Sequence, residues 1–293
     1  MRLSEDITIT GNRAMARSYA KINLTLDVLG KREDGYHNLQ TVMQTVGLSD
    51  LVIVDKTNYG IRLTTNKKFL PNNSKNIAYQ AAAKFFEKTK IKGGAKILIH
   101  KNIPIAAGLA GGSGNGAAVL SALNMLYSNP LTEGELCELG ATIGADVPYC
   151  IMGGTQLAEG IGEVLTPQKP LSRHLVLLVT PPIAVSTPQV FGEFDSIKKE
   201  IFPDNAAMLM AINDEDFYGV CKNLANSLES VTIRQHPVIG EIKEKMLSGG
   251  AVNAIMSGSG PTVFGFFDDF DKAKQAHDSF SLQYKDVFLT TTV

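Results

Sequence analysis

IPIAAGLAGGSGNGAAVLSAL, residues 103–123, holds five glycines within nine residues and continues directly into an apolar run. The five are Gly108, Gly111, Gly112, Gly114 and Gly116. Glycine lets the backbone approach a ligand closely. The start of a helix adds unpaired N–H groups and the positive end of the helix dipole. The segment therefore predicts a loop that binds an anion, most often phosphate, ahead of a buried helix.

The spacing of these glycines separates the loop from two common phosphate-binding motifs. It matches neither the G-x-x-x-x-G-K-[ST] pattern nor the G-x-G-x-x-G pattern of dinucleotide-binding folds. The alternative is a flexible glycine-serine turn before a core helix. Ser113 lacks the G-x-S-x-G context of a hydrolase nucleophile, so a serine hydrolase is not indicated.

Composition limits the class of protein. The chain has 293 residues, 44% hydrophobic and 19% charged, which suits one large domain or two medium ones with a sizeable core. A net charge of −1 does not indicate general affinity for nucleic acid or for an anionic membrane. No apolar run approaches the ~18 residues that span a bilayer, and the first fifteen residues lack a secretory signal.

The cysteines indicate the compartment. Cys137, Cys150 and Cys221 are an odd number at wide spacing and form no CxxC pair or zinc pattern, so reduced thiols are expected. Together with the composition, this predicts a soluble, cytoplasmic protein. The sequence does not indicate an oligomeric state.

Local patterns predict the elements of the first half. Residues 1–15 have the character of a weakly structured extension. Residues 18–30 alternate with a period near two and predict a strand, and residues 41–55 are rich in β-branched residues and predict a strand pair. Ser74 or Asn76 is positioned to cap a helix that starts at residue 77.

The second half predicts a mixed arrangement of strands and helices. A break at residues 166–172, where two prolines flank polar residues, divides the chain into domains of residues 1–165 and 166–293. Beyond the break the expected order is β-α-α-β-β-α-β, with a long helical stretch over residues 205–248. The segment around Asp146 is expected to be a loop.

Two polar features stand out within apolar surroundings. Lys21 and Asn23 are two residues apart in the first strand, so their side chains lie on one face, although an edge strand would show the same pattern. Asp146 follows a predicted helix end and precedes Val147-Pro148. It suits either a helix cap or turn, or a general base kept ionised by a lysine.

Two further motifs lie in predicted turns. SGSGP, residues 257–261, is a second glycine loop between apolar strands, which suits a hairpin turn or one wall of a nucleotide site. GYH, residues 35–37, suits an exposed turn or a platform on which a flat ligand stacks.

Six motifs in order resemble the GHMP kinase superfamily. They are AKINL (20–24), DGYH (34–37), PIAAGLAGGSGN (104–115), GADVP (144–148), STPQVF (186–191) and SGSGPTVF (257–264). Within that superfamily, GYH, the GLAGGS form of the loop and GADVP are most similar to the 4-diphosphocytidyl-2-C-methyl-D-erythritol kinases of the non-mevalonate isoprenoid pathway. The resemblance implies an α+β fold of two domains with the active site in the cleft between them, and a cytidine diphosphate methylerythritol substrate.

The resemblance also implies roles for individual residues. Asp146 would take the proton from the C2 hydroxyl of the substrate, while Lys21 would keep Asp146 ionised and help to neutralise the γ-phosphate. The implied substrate-binding residues are Asn23, Tyr36, His37, Thr187 and Phe191. Of these, Tyr36 and His37 would hold the cytosine ring by stacking and hydrogen bonding, and Phe191 would cover the same ring.

The implied ATP site contains the phosphate loop and a segment near the adenine. Its residues are Asn76, Ile77, Lys101, Pro104, Gly108, Leu109, Ala110, Gly111, Gly112, Ser113, Gly114 and Asn115. Mg²⁺ is expected with ATP, but no carboxylate dedicated to it is evident. Gly114 and Gly116 depart from the family pattern, and Gly114 lacks the hydroxyl usual there. Because glycine in a helix costs up to ~1 kcal/mol relative to alanine, Gly116→Ala is expected to raise thermal stability.

Two alternatives stay open. One is another kinase of the superfamily, acting on homoserine or mevalonate, which would not need the cytosine-binding residues. The other is a member that binds a ligand without turnover, against which the presence of both Lys21 and Asp146 argues.

Overall fold

The computed structural model describes residues 3–293 and divides them into two compact units built from discontinuous segments. The first unit contains the chain up to Ala20 together with Leu48–Ile105 and Ala110–Gly153. The second contains Lys21–Gly47, Ala106–Leu109 and Gly154–Val293. The predicted division at residue 166 follows the linear chain and stays a prediction.

The first unit has a sheet with the strand order β1-β2-β3-β5-β4. β1 and β2 form an antiparallel hairpin that pairs Ile7 with Ala16, while β3 runs antiparallel to β5 and β4 runs parallel to β5. The strands are β1 Ile7–Thr10, β2 Arg13–Lys31, β3 His37–Thr57, β4 Gly60–Thr65 and β5 Gly94–His100, of which β2 and β3 also contribute residues to the second unit.

Four helices complete the first unit: α1 Ile77–Thr89, α2 Gly111–Leu126, α3 Glu133–Ala141 and α4 Asp146–Met152. The predicted cap of α1 is confirmed at Asn76, whose side chain accepts a hydrogen bond from the backbone N–H of Ala78 at 2.9 Å. Thr132 and Glu135 form a reciprocal capping box at the start of α3. Small residues along α1 and α2 are buried, which lets the two helices pack closely in the apolar core of this unit.

The second unit combines the other halves of β2 and β3 with further strands. β6 (Thr155–Glu159) pairs with β3 and with β7 (Val164–Pro167), and the short strand β9 (Ala225–Asn226) runs parallel to β2. A separate four-stranded sheet has the order β10-β11-β8-β12, all antiparallel. Its strands are β8 Leu175–Thr180, β10 Asn253–Met256, β11 Val263–Phe267 and β12 Asp286–Thr291.

Six helices belong to the second unit: α5 Thr187–Phe194, α6 Asn205–Asn213, α7 Phe217–Lys222, α8 Glu229–Gln235, α9 Val238–Ser248 and α10 Phe270–Ser281. The core combines alternate residues of β8 and β11 with the apolar face of α9 and α10, as at Leu177, Val179, Ile242 and Phe280. The mixture of helices and sheets agrees with the expected α+β class.

The start of the chain differs from the prediction. Residues 1 and 2 lie outside the described part. From Leu3 onward the expected extension is a 3-10 helix, Leu3–Asp6, followed by β1 and the first residues of β2. β1 has only four residues, ITIT, and although these favour a strand, so short and exposed a segment becomes a strand through its pairing with β2.

The predicted strand pair over residues 41–55 is wrong, because one continuous strand, β3, covers it. Gly47 lies inside this strand, and a Cβ on it would stand 2.8 Å from Oγ1 of Thr290. The glycine therefore makes room for a neighbouring strand and does not mark a turn.

Two other expectations about helices are corrected. The segment from Asp146 onward is a helix and not a loop, since Pro148 occupies its first turn, where proline is tolerated. The helical stretch over residues 205–248 is interrupted by β9, which pairs with Thr25 and Leu26 of β2. α5 was not predicted.

Across residues 3–293, no helix has both the length and the apolar character that crossing a membrane requires.

Candidate active site

The polar pair on β2 lies in the interior of the second unit. Nζ of Lys21 donates a hydrogen bond to Oδ1 of Asn23 at 2.6 Å, and both residues are buried. Nδ2 of Asn23 in turn donates to Oγ1 of Thr41 at 2.8 Å, which fixes the amide with its oxygen toward the lysine. The prediction that the two side chains share a face is confirmed. The pairing of β2 with β1 ends at Ala16 and its pairing with β9 begins at Thr25, so it is the burial of both side chains that argues against an exposed edge strand.

Lys21 carries a buried ammonium group for which residues 3–293 supply no ion-pair partner. Among residues 3–293 its ammonium forms no ion pair, and Asn23 is a neutral partner. A buried charge is costly unless it is paired. The arrangement therefore favours an anionic ligand next to Lys21.

The two glycine loops meet in the second unit. Oγ of Ser257 donates to the carbonyl oxygen of Gly108 at 3.0 Å, and the backbone N–H of Lys21 donates to the carbonyl oxygen of Leu109 at 3.2 Å. The segment 106–109 is thus held between the strand that carries Lys21 and the SGSGP turn. The sequence suggested that the second loop could form a wall beside the first, and the structure places them in contact.

Gly108 is required by this contact. Its φ is +74°, and a Cβ at this position would lie 2.2 Å from the carbonyl oxygen of Ser257. Ala106 and Ala110 on either side both have a φ of +53°, a region that residues with a side chain rarely occupy. A positive φ at alanine costs energy, and such residues concentrate at ligand-binding sites. The loop therefore has the strained backbone that is typical of a ligand-binding loop.

An aromatic and ionic cluster lies at the start of β3. The ring of Phe191 on α5 stacks on the imidazole of His37, with centroids 4.9 Å apart and planes at 28°. Nε2 of His37 lies 2.6 Å from Oδ1 of Asp195, and Nζ of Lys31 donates to Oδ2 of the same carboxylate at 2.8 Å. Tyr36 is 61% exposed beside this cluster. The structure thus brings together the aromatic residues that the sequence singled out.

Thr187 connects this cluster to the second glycine loop. Its Oγ1 lies 2.7 Å from Oγ of Ser259, and Thr187 is the first residue of α5, the helix that carries Phe191. One short helix therefore positions both predicted substrate residues of this segment.

The phosphate segment of the first unit is mostly helical. α2 begins at Gly111, so Gly111, Gly112, Gly114 and Gly116 belong to its first turns and not to a loop. A Cβ on Gly111 would lie 2.9 Å from Nζ of Lys101. The glycine therefore permits close approach of that ammonium to the start of the helix.

Gly114 faces a strand residue. A Cβ there would stand 2.5 Å from Oγ of Ser18. The hydroxyl that the resemblance leads one to expect at position 114 is replaced in this chain by close packing of the helix against β2.

Lys101 and Asn115 belong to a buried cluster around Asp50. The Lys101 ammonium forms an ion pair with Oδ2 of Asp50 and donates to Oδ1 of Asn115 at 3.1 Å, while Nδ2 of Asn115 donates to Oδ2 of Asp50 at 2.8 Å. Oδ1 of Asp50 accepts from the backbone N–H groups of Asn102 and Ile103. Burial lowers the pKa of the Lys101 ammonium, and Asp50 opposes that change.

Lys101 and Asn115, which the resemblance assigns to the ATP site, are both buried in this cluster. The side chains of Lys101 and Asn115 are therefore held by Asp50, and their predicted contact with ATP stays a prediction. Sequence reasoning did not identify Asp50. Its signal was a lone carboxylate within a β-branched run, where a buried acid requires partners.

The remaining predicted residues of the first unit have different surroundings. Both polar atoms of the Asn76 side chain are engaged, since Oδ1 caps α1 and Nδ2 donates to the carbonyl oxygen of Pro71 at 2.9 Å. Ile77 begins α1 and faces Gly112 and Gly116. Asp146, also in the first unit, is half-buried in the first turn of α4, and its carboxylate forms no hydrogen bond or ion pair with residues 3–293.

Metal binding is not supported by a preformed group of ligands. In the part of the chain that the structure describes, no three His, Cys, Asp or Glu side chains are placed to hold a metal ion. Within residues 3–293, Cys137, Cys150 and Cys221 form no disulfide bond.

Comparison with known families gives two matches. The family described as GHMP kinases N terminal domain matches residues 76–154, and the family described as GHMP kinases C terminal matches residues 208–286. The first match contains the phosphate segment and Asp146, and the second contains the SGSGP turn.

Individual relatives agree with these matches. The chain is 47% identical over 277 residues to a 4-diphosphocytidyl-2-C-methyl-D-erythritol kinase of Clostridium novyi, covering 94% of this chain and 99% of the relative. A crystal structure of 4-(cytidine 5'-diphospho)-2C-methyl-D-erythritol kinase superposes with a TM-score of 0.80 at 32% identity, covering 95% of this chain and 98% of the other. A homoserine kinase from Cytophaga hutchinsonii shares the fold, with a TM-score of 0.75 at 17% identity, covering 97% of this chain and 96% of the other.

Proposed function

Because the chain belongs to the GHMP kinases, and within them to the family of the 4-diphosphocytidyl-2-C-methyl-D-erythritol kinases, we propose that it transfers the γ-phosphoryl group of ATP to the C2 hydroxyl of 4-diphosphocytidyl-2-C-methyl-D-erythritol. This reaction belongs to the formation of isoprenoid precursors by the non-mevalonate route. The observation that carries the proposal is the 47% identity to a kinase of that name over 94% of this chain. The kinase class follows from the family, and the substrate is the proposed part.

We propose that Asp146 is the general base. Its carboxylate forms no hydrogen bond or ion pair within residues 3–293 and lies in the first turn of α4. In the transfer it would accept the proton of the C2 hydroxyl as the oxygen attacks the γ-phosphorus and the bond to the β-phosphate oxygen breaks. Phosphoryl transfer depends mainly on positioning and on charge stabilisation, which a correctly placed carboxylate supports.

Lys21 would supply the positive charge. Its ammonium lies buried with Asn23 as its only polar side-chain partner among residues 3–293, so it retains N–H groups for the γ-phosphate and for the carboxylate of the base. Asn23 would fix the direction of that ammonium. Removal of either residue is expected to lower the rate of transfer more than the affinity for ATP.

The nucleobase of the acceptor substrate would bind at the His37 cluster. Tyr36 and Phe191 offer aromatic faces, and His37 offers a ring nitrogen. Thr187 would contact the substrate from the start of α5. Such a cluster suits a flat base and has no evident purpose in a kinase for homoserine or mevalonate.

ATP would bind along the glycine segment. Backbone N–H groups at the start of α2 and the strained loop around Gly108 suit its phosphates. The proposed contact residues are Pro104, Gly108, Leu109, Ala110, Gly111, Gly112, Ser113 and Gly114, with Asn76 and Ile77 toward the adenine. Mg²⁺ is expected to arrive with the ATP phosphates. Because the described residues contain no matching ligand group, no step is assigned to it.

A cytoplasmic location in a bacterium fits this proposal. ATP is the phosphoryl donor, and three cysteines that form no disulfide bond within residues 3–293 suit a reducing compartment.

The test is ADP release with Mg-ATP and each of four acceptors: 4-diphosphocytidyl-2-C-methyl-D-erythritol, homoserine, mevalonate and galactose. Turnover with the cytidyl acceptor alone is expected. Turnover with another acceptor instead would retain the kinase and refute the substrate, and ATP binding without any turnover would favour a ligand-binding member.

A pair of matched variants tests the base. Asp146→Asn is expected to abolish transfer while binding of the cytidyl substrate persists. Asp271→Asn makes the same change in the first turn of α10 at an exposed residue and should leave the rate unchanged. A rate near that of the wild type in Asp146→Asn would refute Asp146 as the base.

A further inference from the structure

The carboxylate of Asp195 is placed to control the protonation of His37. Asp195 lies immediately after α5, one helical turn beyond Phe191, and its Oδ1 is 2.6 Å from Nε2 of His37. Its Oδ2 accepts a hydrogen bond from Nζ of Lys31 at 2.8 Å. The imidazole is therefore fixed by stacking on one face and by a hydrogen bond to a carboxylate at one nitrogen.

The chemistry of this contact decides which nitrogen carries the proton. Hydrogen bonds from Lys31 and from His37 hold the pKa of the Asp195 carboxyl below its usual range, so Asp195 is ionised at neutral pH. An ionised carboxylate can only accept a hydrogen bond, so Nε2 of His37 must donate. In the neutral imidazole the other nitrogen, Nδ1, then keeps its lone pair.

Nδ1 is the nitrogen that remains for a ligand. Within residues 3–293 it takes part in no hydrogen bond, although His37 is 7% exposed. Nδ1 is not among the fully buried polar atoms of the described residues that lack a partner, so the ring edge that carries it reaches the surface and is open to a ligand. An unprotonated Nδ1 accepts a hydrogen bond and cannot donate one.

We propose that Asp195 is a positioning residue that holds His37 as the Nε2-protonated tautomer and thereby selects a substrate base with an exocyclic amino group. This inference rests on the proposed function, in which His37 contacts the base. Cytosine presents an amino donor at C4, whereas uracil presents an oxygen acceptor at the same position. The lone pair of Nδ1 would pair with the amino group and oppose the oxygen, so the carboxylate of Asp195 would set the choice between the two bases.

The decisive variant is Asp195→Asn. A side-chain amide can donate to Nε2 or accept from it, so it imposes neither tautomer on His37. The variant is expected to fold, because the end of α5 is closed by the backbone N–H of Asp195 and not by its carboxylate. Lys31→Gln is the matched control, because it removes the other partner of Asp195 and leaves the contact with His37 in place.

Two measurements are made on the wild type and both variants. The first is kcat/KM with the cytidyl substrate and with its uridyl analogue. A site built around one hydrogen bond to the base should favour cytosine by ~100-fold or more. In Asp195→Asn this ratio should fall at least ~10-fold, chiefly through a higher KM for the cytidyl substrate, while in Lys31→Gln it should persist.

The second measurement is ¹⁵N NMR of the imidazoles at pH 8, with the His37 signals identified by their loss in His37→Gln. The wild type and Lys31→Gln should show the Nε2-protonated form, and Asp195→Asn should show a mixture. An Nδ1-protonated His37 in the wild type would overturn the inference. So would an Asp195→Asn enzyme that keeps both its tautomer and its base preference.

These failures are distinct from failure of the proposed function. If the wild type turns over neither nucleotide substrate, the proposed function is refuted. If it turns over the cytidyl substrate and Asp195→Asn discriminates equally well, only the role of Asp195 is refuted.

Discussion

Gly116→Ala adds one methyl group to the buried face of α2. At this position helix propensity and tertiary packing have opposite effects on the free energy of unfolding. As a helix-interior substitution, glycine to alanine favours folding by up to ~1 kcal/mol. Considered from the sequence alone, the change should therefore stabilise the protein. The structure reverses this expectation, because a Cβ at Gly116 would lie 2.7 Å from Cγ2 of Ile77 and 3.9 Å from Cβ of Ala81.

The contact with Ile77 cannot be relieved at low cost. Cγ2 is attached to a β-branched carbon whose χ1 is restricted in a helix, and Ile77 is the first residue of α1. Inserting a methyl group into a packed core typically costs ~1–3 kcal/mol. Subtracting the gain of up to ~1 kcal/mol in helix preference leaves an expected net loss of about 1 kcal/mol in the free energy of unfolding.

Gly112→Ala is the matched control on the same helix. Gly112 is exposed, and its added Cβ would stand 3.4 Å from Cδ1 of Ile77, which is the mobile end of that side chain. This variant should be neutral or more stable than the wild type. Gly112 lies in the first turn of α2 and Gly116 in its interior, where the full gain in helix preference applies. A lower stability of Gly116→Ala than of Gly112→Ala therefore reports the packing cost at Gly116.

The assay is urea unfolding followed by circular dichroism at 25 °C without nucleotide, with the slope of the transition checked for constancy. In an Ile77→Ala background the clash is absent, so Gly116→Ala should there become neutral or stabilising. A Gly116→Ala midpoint at or above that of Gly112→Ala would refute the reasoning, because it would show that α1 and α2 adjust to the methyl group without cost.

Three further predictions concern buried polar groups. Asp50→Asn should lower the free energy of unfolding in urea by ~3–5 kcal/mol, because it leaves the Lys101 ammonium buried without a counter-charge. Asp55→Asn, at a partly exposed ion pair, should have little effect, and equal losses would contradict the account. Burial raises the pKa of Tyr19 to about 12 from 10.0, so the stability that its neutral phenol contributes is complete below pH 10 and lost as pH rises toward 12. Tyr19→Phe should flatten alkaline unfolding across that window, and an unchanged profile would exclude this source. Burial raises the pKa of the Cys221 thiol to about 12, so at pH 8 iodoacetamide should modify it only after unfolding, and rapid labelling of the folded protein would be inconsistent with its burial.

Much of the fold follows from signals that act over a few residues. The cap at Asn76 and the strand that carries Lys21 and Asn23 were predictable because capping and the period of two are local properties of the chain. The contact of SGSGP with the first glycine loop was suggested by composition alone, since two glycine-rich turns permit close backbone approach. The roles of Lys21 and Asp146 in transfer stay predictions.

Other features depended on partners far away along the chain. A glycine such as Gly47 often marks a turn, but here it lies inside the long strand β3. Its lack of a side chain leaves room for the side chain of Thr290. Asp50 and Asp195 have no local motif, because their partners are separated from them by tens to more than a hundred residues.

By itself, the sequence determined the helix and strand periods, the glycine loops and the resemblance to a kinase family, because each is written in neighbouring residues. Only the tertiary structure decided whether a side chain fits at a glycine and which distant side chains meet. It shows that Gly116 leaves no room for a side chain, that Lys101 faces inward to Asp50, and that Asp195 contacts His37. The physical reason is that packing clashes and ion pairs depend on distances of a few ångströms between side chains. Such distances are set when distant segments fold together, whereas periodicity and capping are set within a single element.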